Sequence, residues 1–201
     1  MKKIEVFVVN LWRLRKKSYP NMNINKVIRF FNYNTACDFY TNGIKRMKQG
    51  NIKKTGIKKI AKPVLLLSII KGIENGKFKY NKFLFADVEE IYNNIFELYS
   101  AVAKQQNENT CLSYPFYYLQ SDEFWHLNFY EHSETKTNSP SEAWIKRNVE
   151  YGYIDEELWI MLHNADYRLR LKNFILNEKI KNNGNHISLL MKQFVCWLMA
   201  I

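Results

Sequence analysis

"KPVLLLSIIKGIENGKF" (residues 62–78) carries the strongest helix signal in the chain and decides how the other elements must be arranged. Pro63 suits the first turn of a helix, because the backbone N–H that proline lacks has no partner there. Apolar side chains fill most positions up to Ile73, and Glu-Asn-Gly at 74–76 is typical of a helix end. A helix that is apolar on all sides must be covered on all sides, so this stretch predicts a central, buried helix.

A second helix is predicted over "FADVEEIYNNIFELYSAVAK" (residues 85–104), because its apolar residues recur at three- and four-residue spacing. The apolar face comprises Phe85, Val88, Ile91, Tyr92, Ile95, Phe96 and Tyr99. One side of this helix is therefore expected to pack on the core.

Further helices are predicted from caps and spacing. Residues 139–152 begin with a serine cap and a proline, and residues 155–164 begin at Asp155, a good N-cap followed by two glutamates. Residues 165–180 form the last clear helix, and the spacing of apolar residues over 24–31 indicates one more near the N-terminus.

"YPFYYLQSDEFWHL" (residues 114–127) has two aromatic-rich runs on either side of Ser-Asp-Glu, which predicts a β-hairpin. Alternate strand residues face opposite ways, so Tyr117 and one face of the hairpin are expected to be exposed. The expected core residues are Phe116, Leu119, Trp125 and Leu127. The predicted fold class is α+β, mostly helical with one β-hairpin and a winged-helix-like layout.

The charge is concentrated in the first third of the chain. Residues 1–62 hold 16 of the 30 Lys and Arg residues and two acids, Glu5 and Asp38, a balance of +14. Residues 63–201 hold the other 14 bases and 17 acids, a balance of −3. So uneven a distribution indicates an electrostatic footprint for an anionic partner.

Residues 45–62 hold eight bases and no acids, which predicts an exposed, mobile loop that contacts nucleic acid. A loop that is merely solvated is the alternative reading of the same residues. The lysines assigned to DNA binding are Lys53, Lys54, Lys58, Lys59 and Lys62.

Common catalytic and metal-binding patterns are missing from the sequence. The three cysteines form no C-x-x-C pair, and none of the four histidines lies in an H-E-x-x-H motif. We therefore assign no catalytic residue, no metal ligand and no cofactor. The apolar segment 187–201 is too short to span a bilayer and the N-terminus is a poor signal peptide, so a cytoplasmic protein without membrane contact is expected.

Three segments, taken in order, resemble the DNA-binding region that precedes the nuclease domain in a group of bacterial HNH restriction endonucleases. They are "KPVLLLSIIKGIENGKF", "YPFYYLQSDEFWHL" and "YGYIDEELWIMLHNADYRLRLKNFIL" (residues 151–176), and the match covers roughly residues 50–180. Best known within this group is the sulfur-binding domain, which reads phosphorothioate-modified DNA. The resemblance implies DNA as the partner, with a phosphorothioated duplex as the candidate form.

By this resemblance, Tyr114 and Pro115 fall where the family places its sulfur-contacting Tyr-Pro pair. A shallow apolar pocket lined by ring carbons and a proline suits sulfur, which is softer and less strongly hydrated than a phosphate oxygen. The family usually completes this pocket with a small residue, whereas this chain has Tyr117 or Tyr118 there, so both are included among the DNA-binding candidates. The family's His or Arg before "KP" is Ala61 here, with Lys58, Lys59 and Lys62 as substitutes.

Together these observations predict a basic, partly helical extension over residues 1–44, a DNA-binding domain over 45–180 and an apolar tail over 181–201. The last 21 residues hold one histidine, too few for the family's H-H-N-H array. The expected function is thus a DNA-binding module of a restriction-type defence system, not an enzyme by itself: stand-alone, truncated, or paired with a chain that carries the nuclease. A nuclease subunit with unrecognised catalytic residues and a protein-interaction subunit stay open as alternatives.

Overall fold

The computed structural model describes residues 33–105 and 111–181. The helix predicted over 24–31 and the apolar segment 187–201 lie outside these residues. No helix within the two described ranges has the length and apolar character needed to cross a membrane.

The described residues form a mostly helical domain with one two-stranded antiparallel sheet, which confirms the predicted α+β class. In chain order the elements are α1 (Tyr33–Arg46), α2 (Ala61–Glu74), α3 (Phe85–Val102), α4 (Ser113–Tyr118), β1 (Trp125–Phe129), α5 (Glu142–Asn148), β2 (Val149–Ile154), α6 (Glu156–Met161) and α7 (Ala165–Ile175). A 3₁₀ turn, Leu119–Ser121, follows α4, and a π-helical turn, Leu176–Ile180, continues α7. The winged-helix-like layout stays a prediction.

Helix α2 is the centre of the core, as its sequence predicts. Every residue from Pro63 to Ile70 is buried, and α3, α4 and α7 all pack against this helix. Gly72 allows the chain to fold back, because a Cβ at that position would lie 2.1 Å from the ring of Phe78. Gly76 then adopts a positive φ of 70° just beyond the helix end, a conformation that glycine takes without steric cost.

Helix α3 packs on α2 with the predicted apolar face. Five of the seven predicted members are buried, and Ile91 and Ile95 are half-buried against the core at its edge. The two longest predicted helices are therefore confirmed, and each buries the residues expected to face the core.

The first half of the predicted hairpin is wrong, because Ser113–Tyr118 is the helix α4 and not a strand. Leu112, Phe116 and Leu119 recur at helical spacing and are at most 1 % exposed, so one side of α4 is committed to the core. Pro115 is accommodated in the first turns of α4, where a missing N–H costs little. Tyrosine and phenylalanine favour strands when taken one at a time, but here the packing of the helical face prevails.

The second half of the predicted hairpin is confirmed as β1, but its partner is β2. The helix predicted over 139–152 ends at Asn148 as α5, whose cap Ser141 accepts a hydrogen bond from the Trp144 N–H at 3.1 Å. The chain then continues as β2. Gly152 is required in this strand, because a Cβ there would lie 2.3 Å from the buried ring of Trp125.

Helices α6 and α7 match the predicted helix pair. Asp155 is the N-cap residue of α6 as expected, but its carboxylate binds other elements: Oδ1 lies 2.6 Å from His126 Nε2, and Oδ2 accepts from the Tyr40 hydroxyl at 3.1 Å. Tyr40 lies on α1, whose inner side is buried in the same core at Ala36, Tyr40 and Ile44.

Candidate nucleic-acid interface

The outward side of α4 presents two tyrosine rings to solvent. Tyr114 is 48 % exposed and Tyr118 is half-buried. Because residues four apart lie on the same side of a helix, the two rings are neighbours, with their centroids 6.1 Å apart. We refer to Tyr114, Tyr118 and the adjoining residues 134–139 as the α4 edge.

Residues 134–139 are held against α4 by its three tyrosine hydroxyls. The Tyr118 hydroxyl donates to the Asn138 carbonyl at 2.9 Å, and the Thr137 N–H donates to the Tyr117 hydroxyl at 3.0 Å. The Tyr114 hydroxyl lies 3.5 Å from the hydroxyl of Ser139. This loop is therefore positioned by the same short helix that carries the exposed rings.

The loop brings Lys136 to the α4 edge, a residue that the sequence analysis did not select. Lys136 is exposed, and it lies between Thr135 and Thr137, both of which contact the Tyr117 hydroxyl. An isolated lysine in a polar segment, 18 residues from Tyr118, has no local sequence signal. Only the long-range contacts with α4 reveal where it lies.

Two of the four predicted residues of α4 are buried. Tyr117 is 7 % exposed and packs edge-on against Trp144, with ring centroids 5.3 Å apart, so its expected exposure is wrong. It faces inward because α4 is a helix, in which Phe116 and Tyr117 follow one another on the covered side. Pro115, the residue that follows Tyr114, is also buried.

The basic run leading to α2 folds on itself instead of lying open. The Ile52 N–H donates to the Ile57 carbonyl at 2.8 Å, and the Lys59 N–H donates to the Gly50 carbonyl at 2.7 Å. Gly56, with a φ of 70°, makes the turn at the tip. Four of the five predicted lysines are exposed on this structure: Lys53, Lys54, Lys58 and Lys59.

Three side chains anchor this basic loop to the domain. Gln105, at the end of α3, accepts from the Ile60 N–H at 3.1 Å and donates to the Lys58 carbonyl at 2.8 Å. Gln49 donates to the Lys59 carbonyl, and the Lys179 ammonium donates to the Lys45 carbonyl. Burial lowers the pKa of Lys179, which these backbone contacts hold against the loop. The ends of the basic loop are thus fixed to the domain, and the lysines at its tip face solvent.

Lys62, the last of the predicted lysines, is engaged in a structural ion pair. Its ammonium lies 2.7 Å from Asp122 Oδ2 and 3.2 Å from the Ser121 hydroxyl, and the two charged side chains are 13 % and 10 % exposed. This pair joins the start of α2 to the turn that follows α4. The basic loop therefore ends where α4 ends, and the two candidate surfaces are physically connected.

Within residues 33–105 and 111–181, no group of three or more His, Cys, Asp or Glu side chains is arranged to hold a metal ion.

Comparison with known proteins gives a similarity to a solved structure. No protein-family model matches the chain, and no curated protein matches it. Among solved structures, the sulfur-binding domain of SprMcrA, solved in complex with phosphorothioated DNA, aligns over 74 % of this chain and 96 % of its own length, with a TM-score of 0.54 and 17 % identity. The two chains share a fold. The similarity agrees with the family resemblance of the three sequence segments, and at 17 % identity it establishes the fold alone.

Proposed function

We propose that this chain is a DNA-binding module of a restriction-type system and that it reads phosphorothioate-modified duplex DNA. The observation that carries the proposal is the shared fold, which spans 96 % of a domain solved in complex with phosphorothioated DNA. Of the Tyr114–Pro115 pair, which the family resemblance assigns to sulfur contact, Tyr114 is exposed at the start of α4 and Pro115 is buried; the exposed Tyr114 ring supports the proposal.

The α4 edge offers the chemistry that a phosphorothioate needs. Replacing one phosphate oxygen by sulfur gives a softer, less strongly hydrated atom, which loses less free energy than oxygen when it contacts ring carbons. The exposed ring of Tyr114 and the adjoining ring of Tyr118 supply such carbons. Because the resemblance puts Tyr117 or Tyr118 where the family has a small residue, we expect sulfur to contact the edges of the Tyr114 and Tyr118 rings and not a deep pocket.

The lysines provide the grip on the DNA backbone. Contacts between ammonium groups and phosphates release counterions and supply affinity that does not depend on base sequence. In this proposal the exposed lysines of the basic loop contact phosphates on one side of the α4 edge, and Lys136 contacts a phosphate next to it. The tyrosines then discriminate between sulfur and oxygen at the position that the lysines set.

Fluorescence anisotropy with a labelled duplex tests the proposal. Wild-type protein should bind an ordinary duplex at low salt, bind a phosphorothioated duplex more tightly, and lose affinity steeply as salt rises. Tyr114→Ala should weaken binding to the phosphorothioated duplex by about tenfold, the loss of a little over 1 kcal/mol of contact.

Tyr130→Ala is the matched control, because Tyr130 is 47 % exposed against 48 % for Tyr114 but lies beyond the end of β1. This variant should bind both duplexes as the wild type does. A wild-type protein that ignores duplex DNA at low salt would overturn the proposal.

A further inference from the structure

The outer face of the two-stranded sheet carries aromatic and polar side chains that the α4 edge does not include. In the antiparallel register, His126 is opposite Tyr153 and Asn128 is opposite Tyr151. All four are half-exposed, because successive strand residues alternate between the two faces of a sheet. Their neighbours Trp125 and Ile154 face the core and are at most 1 % exposed.

Residues 79–84 extend this face on the open side of β2. Phe83 and Gly152 exchange two backbone hydrogen bonds, at 2.8 and 2.9 Å, and the Asn81 amide binds both the N–H and the carbonyl of Ile154. Since Asn81 and Phe83 are buried, the residues between and before them are turned to solvent. Lys79 and Lys82 are exposed, and Tyr80 is 60 % exposed.

The rings of this face are held in defined positions. Lys82 Nζ lies 4.6 Å from the centroid of the Tyr151 ring, and the Tyr151 and Tyr153 centroids are 6.1 Å apart. The His126 ring lies 5.0 Å from that of Tyr153, and its Nε2 is fixed by Asp155. We refer to Lys79, Tyr80, Lys82, His126, Tyr151 and Tyr153 as the sheet face.

We propose that the sheet face binds single-stranded nucleic acid, with bases stacked on Tyr80, Tyr151 and Tyr153 and phosphates on Lys79 and Lys82. Sites for single strands combine cationic groups that follow the backbone with aromatic rings that accept any base.

Two exposed lysines, Lys79 and Lys82, give this face cationic groups that a polyanion can contact. Among the described residues, no carboxylate lies within ion-pair distance of Lys79 or Lys82. Three carboxylates border the face, and each is hydrogen-bonded within the domain: Glu150 accepts from the Asn128 amide at 2.6 Å, Glu156 accepts from the Asn81 amide at 3.2 Å, and Asp155 is held by His126 and Tyr40. Tyrosines also occur at protein interfaces, so a protein ligand is the competing outcome of the test.

The test is anisotropy with a fluorescein-labelled 15-mer of thymidine, using the full chain. Tyr151→Ala should weaken binding by about tenfold, the effect expected for one lost stacking ring, while Tyr151→Phe should keep wild-type affinity. Lys82→Ala should weaken binding and reduce its salt dependence. Tyr114→Ala should bind the 15-mer as the wild type does, because Tyr114 lies on α4.

Failure of this proposal is distinguishable from failure of the proposed function. Tyr151→Ala should keep its affinity for phosphorothioated duplex, and its melting temperature should be measured alongside; if the variant is unstable, Lys82→Ala, an exposed substitution, decides. The proposal is overturned if the wild type does not bind the 15-mer at low salt. It is also overturned if Tyr151→Phe loses binding as Tyr151→Ala does, or if substitutions on the sheet face abolish association with a protein and leave binding of the 15-mer unchanged.

Discussion

Both sides of α4 carry aromatic residues, but on the inner side they pack in the core and on the outer side they reach solvent. On the inner side, the Phe116 ring is fully buried and meets Phe85 and Trp125 edge-on, with centroids 5.4 and 5.3 Å apart. On the outer side, Tyr114 and Tyr118 reach solvent and hold a polar loop through their hydroxyls. The count of rings in a stretch therefore says little about its role, whereas burial and hydroxyl partners separate core from surface.

The largest expected loss of stability comes from a substitution on the inner side of α4. Phe116→Ala should lower the free energy of unfolding by about 3–5 kcal/mol, because it removes a buried ring and leaves a cavity between Phe85 and Trp125. Urea unfolding followed by tryptophan fluorescence or circular dichroism measures this loss. Tyr114→Ala, on the outer side, should change stability by no more than about 0.5 kcal/mol. Equal losses in the two variants would show that α4 does not have two distinct sides.

The next effect concerns the ion pair that joins α2 to α4. Lys62→Met should cost about 2–3 kcal/mol of unfolding free energy, because it leaves the Asp122 carboxylate without its cation in a site that is only 10 % exposed. Adding Asp122→Asn should recover at least half of that loss. If Lys62→Met were instead neutral for folding and reduced DNA affinity, Lys62 would be a DNA-contacting residue and not a structural one.

A smaller loss of stability is expected at Tyr117, which lies between the inner and outer sides of α4. Tyr117→Phe keeps the buried ring but removes the hydroxyl that accepts from the Thr137 N–H, which should cost about 1 kcal/mol. Tyr118→Phe, which loses an exposed hydrogen bond, should cost less. Hydrogen exchange of residues 134–139 should increase in the Tyr117 variant; unchanged exchange would contradict the role assigned to this hydroxyl.

The smallest effect on stability is expected at the tip of the basic loop. Replacing Lys53 and Lys54 together by alanine should leave unfolding unchanged but reduce the slope of log affinity against log salt by about 2, since each lost phosphate contact contributes about 0.9. Lys146→Ala is the control, because Lys146 is an exposed lysine that pairs with Glu142 on α5. If the slope is unchanged in the double variant, the tip of the basic loop does not contact DNA phosphates.

The sequence alone was sufficient to predict the helices whose apolar spacing repeats over many consecutive residues. Helices α2 and α3 repeat their apolar pattern over 14 and 18 residues, so one misleading residue does not alter the prediction. Helix α4 has six residues, and the strand preference of its rings outweighed the helical spacing of Leu112, Phe116 and Leu119. Pro115 lies inside this run, and a proline argues against a central strand, which agrees with the helix that the structure shows.

The candidate site was predictable only in part, because its geometry depends on distant contacts. The family resemblance selected Tyr114 as a candidate, a role that stays a prediction, whereas the exposure of the basic loop followed from its lysines. The ion pair of Lys62 joins residues 60 apart, and the placement of Lys136 depends on hydroxyls about 20 residues away. No local pattern encodes such contacts, so the sequence could not separate Lys62 from its exposed neighbours or bring Lys136 to the α4 edge.

A double-mutant cycle tests most directly whether the outer side of α4 contacts the modified phosphate. Wild type and Tyr114→Ala would each be titrated against an ordinary duplex and the same duplex with one phosphorothioate, at fixed salt. The account predicts that Tyr114→Ala costs more affinity on the phosphorothioated duplex, with a coupling free energy of at least about 0.5 kcal/mol. Equal costs on the two duplexes would contradict it, because the Tyr114 ring would then not distinguish sulfur from oxygen.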